Sequence, residues 1–206
     1  MLDFITVNMH SSIRINEGKI IYIDPFKIMD EKNDADIILI THDHYDHLSP
    51  EDIQKVIKAD TVIVCPNSTE IPAELGADVV KTGVNEKLNI KGIDIETVPA
   101  YNINKKFHPK ENGWLGYIIN SAEHGRIYIA GDTDVTAENK QIKCDIALLP
   151  VGGTYTMDAM QAADLANTLC PKYVIPVHYG SIVGTPMDGE RFSSGVDKGI
   201  NVVIKL

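Results

Sequence analysis

Residues 36–50 read DIILITHDHYDHLSP, an apolar run that passes directly into a cluster of histidines and aspartates. The apolar run at residues 36–41 is typical of a strand that is buried on both faces of a sheet. Ser49 and Pro50 predict the start of a helix, because serine is a favoured N-cap and proline suits the first helical position. The cluster is therefore expected in a strand-to-helix loop, where α/β folds tend to place chemistry.

The cluster His42-Asp43-His44-Tyr45-Asp46-His47 holds three of the seven histidines of the chain. Imidazole and carboxylate groups are ligands that suit zinc, manganese and iron. In a near-extended backbone His42 and His44 project to the same side and can share one ion. Asp46 and His47 lie further along the loop and can reach a neighbouring ion. A solvated surface loop is the alternative, but a buried strand seldom leads into such a cluster unless a metal pairs the side chains.

Outside this stretch, apolar runs separated by turn signals predict a chain that mixes strands with helices. Helices are predicted from Ser49, around residues 69–75, after Asp158, where Gln161 completes a capping box, and near residues 190–198. Strands are predicted at residues 4–8, 12–16, 19–23, 61–65, 79–80, 87–90, 93–98, 114–120, 126–130, 145–150, 172–177 and 201–205. This order is typical of the α/β class, in which sheets pack together with helices outside.

Length and composition favour a single α/β domain that spans residues 1–206. They also argue against nucleic acid and membranes as partners. The net charge of −10 argues against a broad nucleic-acid interface, which usually needs a basic stripe. No run reaches the roughly 18 apolar residues that a membrane span needs, and the N-terminus does not resemble a secretory signal, so we expect a cytoplasmic protein. Cys65, Cys144 and Cys170 are expected to be buried, reduced thiols.

The spacing His42-x-His44-x-Asp46-His47 resembles the HxHxDH signature of the metallo-β-lactamase superfamily. Other segments follow in the order of that family: His10-Ser11-Ser12, Asp24-Pro25, Gly131-Asp132-Thr133-Asp134 and Pro176-Val177-His178-Tyr179-Gly180. The first of these resembles the branch of predicted metal-dependent hydrolases near ascorbate-6-phosphate lactonase. The resemblance extends from about residue 5 to residue 182 and implies a four-layer αββα sandwich with metals at one edge of the paired sheets.

The resemblance also implies a ligand set for one or two divalent ions, with zinc favoured and manganese or iron as alternatives. His42 and His44 would bind the first metal. Asp46, His47 and His178 would bind the second, and Asp132 would bridge the two. His10 would lie near the site, where it would support the ligands, although a buried hydrogen-bonded histidine is a close alternative.

One position departs from the family pattern. A third histidine for the first metal is expected near Pro99-Ala100-Tyr101-Asn102, which contains none. His108 could reach back as the missing ligand, Asn102 could be a weak oxygen ligand, or the first metal could be weak or absent. We expect His108 to have a functional role, without choosing between ligand and substrate contact.

The resemblance implies a metal-dependent hydrolase, in which a metal-activated water attacks a small ester, lactone, amide or phosphodiester. Asp46 would orient this water and accept its proton, and His108 could assist the leaving group. Tyr179 and Lys105 are predicted to contact an anionic part of the substrate.

Other functions stay open for the same motifs. A nuclease-type phosphodiesterase is disfavoured, because this short acidic chain offers no basic arm. A non-catalytic metal-binding or ligand-binding protein with a degraded first metal site rests only on the missing third histidine. A homo-oligomer is a further alternative to a monomer.

Overall fold

The computed structural model describes residues 2–206, which form two sheets covered by helices on their outer faces. The first sheet has the order β1 to β6, with β1 at Ile5–Met9, β2 at Ser12–Asn16, β3 at Ile20–Ile23, β4 at Ile37–Leu39, β5 at Val62–Pro66 and β6 at Asp78–Thr82. The second sheet runs in order from β7 to β13, with β7 at Lys87–Ile90, β8 at Ile93–Pro99, β9 at Leu115–Ser121, β10 at Gly125–Ile129, β11 at Ile146–Pro150, β12 at Tyr173–Val177 and β13 at Asn201–Val202. The helices are α1 at Pro50–Val56, α2 at Ala159–Leu169 and α3 at Met187–Gly195.

Each sheet has an antiparallel half and a parallel half. Strands β1 to β3 pair antiparallel, and β3 to β6 pair parallel. In the second sheet β7 to β10 pair antiparallel, and β10 to β13 pair parallel. Alternate strands of the antiparallel halves and all strands of the parallel halves therefore end at a shared edge of their sheet.

The apolar side chains form three clusters, which correspond to the three interfaces of a four-layer sandwich. In β4 the side chains of Ile37 and Leu39 join the cluster between the sheets, whereas Ile38 joins the cluster beneath α1. Successive side chains of a strand point to opposite faces, so an unbroken apolar run is what a strand between two layers requires. The other outer cluster lies between the second sheet and α2 and α3, where Leu165 and Phe192 are buried. The predicted αββα fold is confirmed.

Two predicted helix starts are observed with their capping contacts. Ser49 accepts a hydrogen bond from the backbone N–H of Asp52, with Pro50 as the first helical residue. Asp158 accepts from the N–H of Gln161 at 2.9 Å, and the Gln161 side chain accepts from the N–H of Asp158 at 3.0 Å. Such a reciprocal pair satisfies two N–H groups that the first helical turn leaves without partners.

Other predicted details were wrong. The last helix begins at Met187 rather than near residue 190, only one 3₁₀ turn, at Ala73–Leu75, forms within residues 69–75, and the last strand pairs over two residues. Of the three cysteines only Cys65 is buried. Cys170 is exposed at the end of α2, where its backbone is left-handed (φ 52°). Among residues 2–206, no helix combines the length and the apolar character that crossing a membrane would require.

Tyr117 and Tyr128 are both fully buried and form a matched pair for testing a hydrogen bond that only Tyr117 makes. The hydroxyl of Tyr117 donates a 2.6 Å hydrogen bond to the carbonyl of Ile40, just before the cluster at residues 42–47. Tyr117→Phe should lower the free energy of unfolding by about 1–2 kcal/mol, because it leaves a buried carbonyl without this donor. The measurement is urea denaturation followed by circular dichroism.

Tyr128→Phe is the control for this substitution. The Tyr128 hydroxyl has no hydrogen-bond partner among the described residues, so its removal should leave stability unchanged or raise it. Equal losses of stability in the two variants would contradict the assigned role of the Tyr117 hydrogen bond.

Candidate metal centre

The predicted ligands lie at one edge of the two sheets, just beyond strands that end there. The residues that follow these strands are His10 after β1, Asp24 after β3, His42 after β4, Asn102 after β8, Asp132 after β10 and His178 after β12. Ligand sites of open α/β sheets form outside the carboxyl ends of the strands, since the loops converge there. The fold therefore brings distant parts of the chain together at this edge.

Three histidines, His42, His44 and His108, form what we call the first group. The Nε2 atom of His42 lies 3.0 Å from Nδ1 of His44 and 3.3 Å from Nε2 of His108. His42 and His108 are buried, and His44 is partly exposed. Three imidazole nitrogens at such separations can share one ion, because metal–nitrogen distances are about 2.0–2.1 Å.

Asp46, His47 and His178 form the second group, beside the first. The Oδ2 atom of Asp46 lies 3.5 Å from Nε2 of His47 and 3.9 Å from Nε2 of His178. His10 joins this group, since its Nε2 atom lies 3.3 Å from the same carboxylate oxygen. All four side chains are buried.

Asp132 lies between the two groups. Its Oδ2 atom is 3.3 Å from Nε2 of His108 in the first group and 3.0 Å from Nε2 of His178 in the second. Its Oδ1 atom is 3.5 Å from Nε2 of His47. Burial opposes ionisation of this carboxyl, but His178 and His47 outweigh it and hold the pKa of Asp132 well below its usual value. A negative charge thus lies between the two groups.

His108 occupies the place for which the sequence offered three alternatives. The backbone N–H of Asn102 donates to the carbonyl of His108 at 2.8 Å, which closes the loop between these residues. The Asn102 amide donates to the carbonyls of Phe107 (2.9 Å) and Tyr155 (2.7 Å), so it holds this loop in place. His108 itself has a left-handed backbone (φ 59°). The geometry favours His108 as the third nitrogen of the first group and Asn102 as the support of the loop that carries it.

Asp24 and Thr41 orient the histidines from behind. Asp24 accepts hydrogen bonds from the N–H of Thr41 (2.8 Å), from its hydroxyl (2.6 Å) and from Nδ1 of His47 (2.7 Å). Because the Thr41 hydroxyl donates to Asp24, it accepts from Nδ1 of His42, at 2.9 Å. The protons of His42 and His47 are thereby placed on Nδ1, and their Nε2 lone pairs face the cluster, an arrangement that supporting carboxylates commonly impose on metal-binding histidines.

The donor atoms fit a bound cation. The Nε2 atoms of His10, His47 and His178 and Oδ1 of Asp132 are buried without a hydrogen-bond partner among residues 2–206. Each such buried polar atom costs about 1–3 kcal/mol unless something pairs with it. Burial also lowers the pKa of His42 well below its usual value, so its imidazole is neutral and able to bind a metal. Nitrogen and carboxylate donors suit zinc, manganese and iron.

A cavity of about 210 Å³ opens onto both groups and has an apolar rim. The rim consists of Tyr45, Phe107, Tyr155 and Ile182, and the rings of Phe107 and Tyr155 pack edge to face with centroids 4.8 Å apart. Among the described residues that line this cavity, none is a lysine or an arginine.

Two predicted substrate contacts lie outside this cavity. The Lys105 ammonium group forms an ion pair with Asp134 and donates to the carbonyl of Thr156 at 2.8 Å. The Tyr179 ring is buried in the apolar cluster beneath α2 and α3. Neither side chain lines the cavity.

Some residues of the site have little or no signal in the sequence. The ring of Trp114, the only tryptophan of the chain, packs against His42 and His44 with centroid distances of 4.7 and 4.9 Å. Asp24 has a sequence signal only as part of the turn motif Asp24-Pro25. Tyr155 and Ile182 come from loops whose path no local pattern predicts.

The family model described as a beta-lactamase superfamily domain matches residues 5–178. A metal-dependent hydrolase of Geobacillus sp. is 31% identical over 98% of this chain and 96% of the relative.

Two solved structures resemble the whole fold. A Parabacteroides distasonis protein assigned as a metal-dependent hydrolase has a TM-score of 0.82 at 36% identity, covering 98% of this chain and 92% of that one. A metallo hydrolase of Ignicoccus hospitalis has a TM-score of 0.78 at 25% identity, covering 97% and 93% of the two chains.

The role of Asp24 leads to a prediction about metal affinity. Asp24→Asn should weaken metal binding by roughly 10–100-fold, because it loses the carboxylate that orients His47 and the Thr41 hydroxyl. Titration with Co²⁺, followed by quenching of Trp114 fluorescence, measures this affinity. Asp43→Asn, at an exposed position in the same loop, is the control and should bind as the unmodified chain does. Unchanged affinity in Asp24→Asn would show that this carboxylate does not support the site.

Proposed function

Because the chain belongs to the beta-lactamase superfamily and is a metal-dependent hydrolase, we propose that it cleaves an uncharged ester, lactone or amide of a small molecule. The observation that carries this proposal is the apolar rim of the cavity above both groups of ligands. The proposed ions are zinc, one in each group, with manganese and iron as alternatives that the same donors suit.

The charges around the cavity favour an uncharged substrate over a phosphodiester. Arginine and lysine are, besides bound metal ions, the groups that commonly hold the charged oxygens of a phosphoryl group. Here the nearby Lys105 is already paired with Asp134, and the whole chain carries a net charge of −10. The rings of Phe107 and Tyr155 instead offer an apolar surface to an acyl or aryl group.

The proposed reaction divides the work among a few residues. Divalent ions held by the two groups would lower the pKa of water from about 15.7 towards ~7, which supplies hydroxide at neutral pH, and would polarise the scissile carbonyl. The carboxylate of Asp46, in the cavity wall, orients the attacking water and accepts its proton. His108 acts as a ligand rather than as the acid for the leaving group, because its Nε2 atom lies between His42 and Asp132.

A comparison of two chromogenic substrates tests the proposal. The chain, purified without chelators, should hydrolyse p-nitrophenyl acetate with a kcat/KM at least about tenfold above that for bis-p-nitrophenyl phosphate, which equals about 1.4 kcal/mol of transition-state preference. Dialysis against EDTA should abolish this turnover and added Zn²⁺ should restore it, whereas Asp46→Asn should stay inactive with zinc present. A preference for the phosphodiester would contradict the proposed substrate class. Ester hydrolysis that survives EDTA would contradict the proposed reaction.

The apolar rim can be tested with a pair of isoleucines of similar exposure. Ile182 lines the cavity and is 39% exposed, whereas Ile204 is 45% exposed near the C-terminus. Ile182→Ala should raise KM for an aryl ester roughly fivefold, since it removes about 1 kcal/mol of apolar contact with the substrate, and should leave kcat nearly unchanged. Ile204→Ala should leave both constants unchanged. Equal effects of the two substitutions would show that the rim does not contact substrate.

A further inference from the structure

We propose that His10 is a fourth protein ligand of the second ion, which makes the two halves of the centre unequal. The second ion would be held by His10, Asp46, His47 and His178, and the first by three histidines, with Asp132 shared. This inference rests on the metal centre described above and not on the identity of the substrate.

The distances allow His10 to share an ion with the second group. Two ligands bound at about 2.1 Å to one ion lie no more than about 4.2 Å apart. Asp46 Oδ2 lies 3.3 Å from Nε2 of His10, 3.5 Å from that of His47 and 3.9 Å from that of His178. His10 is thus nearer to this oxygen than the two histidines that the sequence motifs assign to the ion.

Apart from the Asp46 carboxylate, 3.3 Å away, the surroundings of His10 offer its Nε2 atom no partner. The side chain is fully buried, and Nε2 has no hydrogen bond to any residue within 2–206. The other ring nitrogen, Nδ1, lies 3.4 Å from the hydroxyl of Ser181. A histidine that hydrogen-bonds through one nitrogen and directs the other at carboxylate and imidazole donors has the arrangement of a metal ligand.

The backbone holds His10 in this position. His10 and His178 both have left-handed backbones, with φ of 58° and 60°. The N–H of His178 donates to the carbonyl of His10 at 3.0 Å, and the two rings pack with centroids 3.8 Å apart. Non-glycine residues adopt this conformation rarely, and such residues concentrate at functional sites. Two distant parts of the chain are therefore locked together with their imidazoles facing the same carboxylate.

Unequal ligand sets predict unequal affinities. The second ion would have four protein side chains besides Asp132, and the first would have three. The second half of the centre should therefore fill first when metal is limiting, and loss of His10 should affect that half alone.

The test isolates the second ion in a variant that lacks most of the first group. A chain with His44→Ala and His108→Ala retains only His42 there and is loaded with one equivalent of Co²⁺, which replaces other divalent ions at nitrogen and oxygen sites. Proton NMR then counts the hyperfine-shifted imidazole N–H signals, one for each histidine bound through Nε2. We expect three signals in this background and two after His10→Ala, with a Kd for Co²⁺ weaker by at least about tenfold.

Two further variants complete the experiment. His124→Ala, at the histidine that stacks on Phe4 outside the site, should retain three signals and the same Kd. His10→Gln provides the same comparison if His10→Ala fails to fold. Only two signals in the background variant, before His10 is replaced, would overturn the proposal. A weaker Kd after His10→Ala with an unchanged number of signals would also overturn it. In either case His10 would only position Asp46.

Discussion

The buried carboxylate of Asp132, placed between two groups of histidines, is the interaction on which the rest of the site depends. It approaches His108 on one side and His178 on the other, at 3.3 and 3.0 Å. The two histidines are far apart in the sequence, so their shared contact with Asp132 joins the loop after β8 to the loop after β12. The carboxylate itself is charged in spite of its burial, and such a charge is tolerated only where cations or hydrogen-bond donors surround it.

The fold places the residues of this contact at the ends of its strands. The central strands carry apolar side chains on both faces, and these side chains pack the layers together. The first polar residue beyond such a strand then lies at the shared edge of the sheets. Four residues at this edge have left-handed backbones, namely His10, Asp24, His108 and His178. Conformations of this kind cost about 1–3 kcal/mol each, so they persist where the surrounding structure and the function require them.

Much of the fold and of the candidate site could be predicted from the sequence, because most site residues lie next to strands with a clear apolar pattern. The candidate ligands at residues 42–47, Asp132 and His178 follow apolar strands, so each carries a local signal. His108 and His10 carry none of comparable strength. The position of His108 depends on the loop that Asn102 closes, and that of His10 on a hydrogen bond to His178 far along the chain. The surroundings of Lys105 and Tyr179 carry no local signal either, because an ion pair with Asp134 and burial beneath α2 and α3 are tertiary features.

The most direct test of the central claim is a crystal structure of the zinc-loaded chain, with the ions located by anomalous scattering. Two anomalous peaks that share Asp132 as a ligand, with His108 bound to one ion and His178 to the other, are the predicted result. A single peak, or His108 turned away from the ions, would contradict the two-ion centre described here.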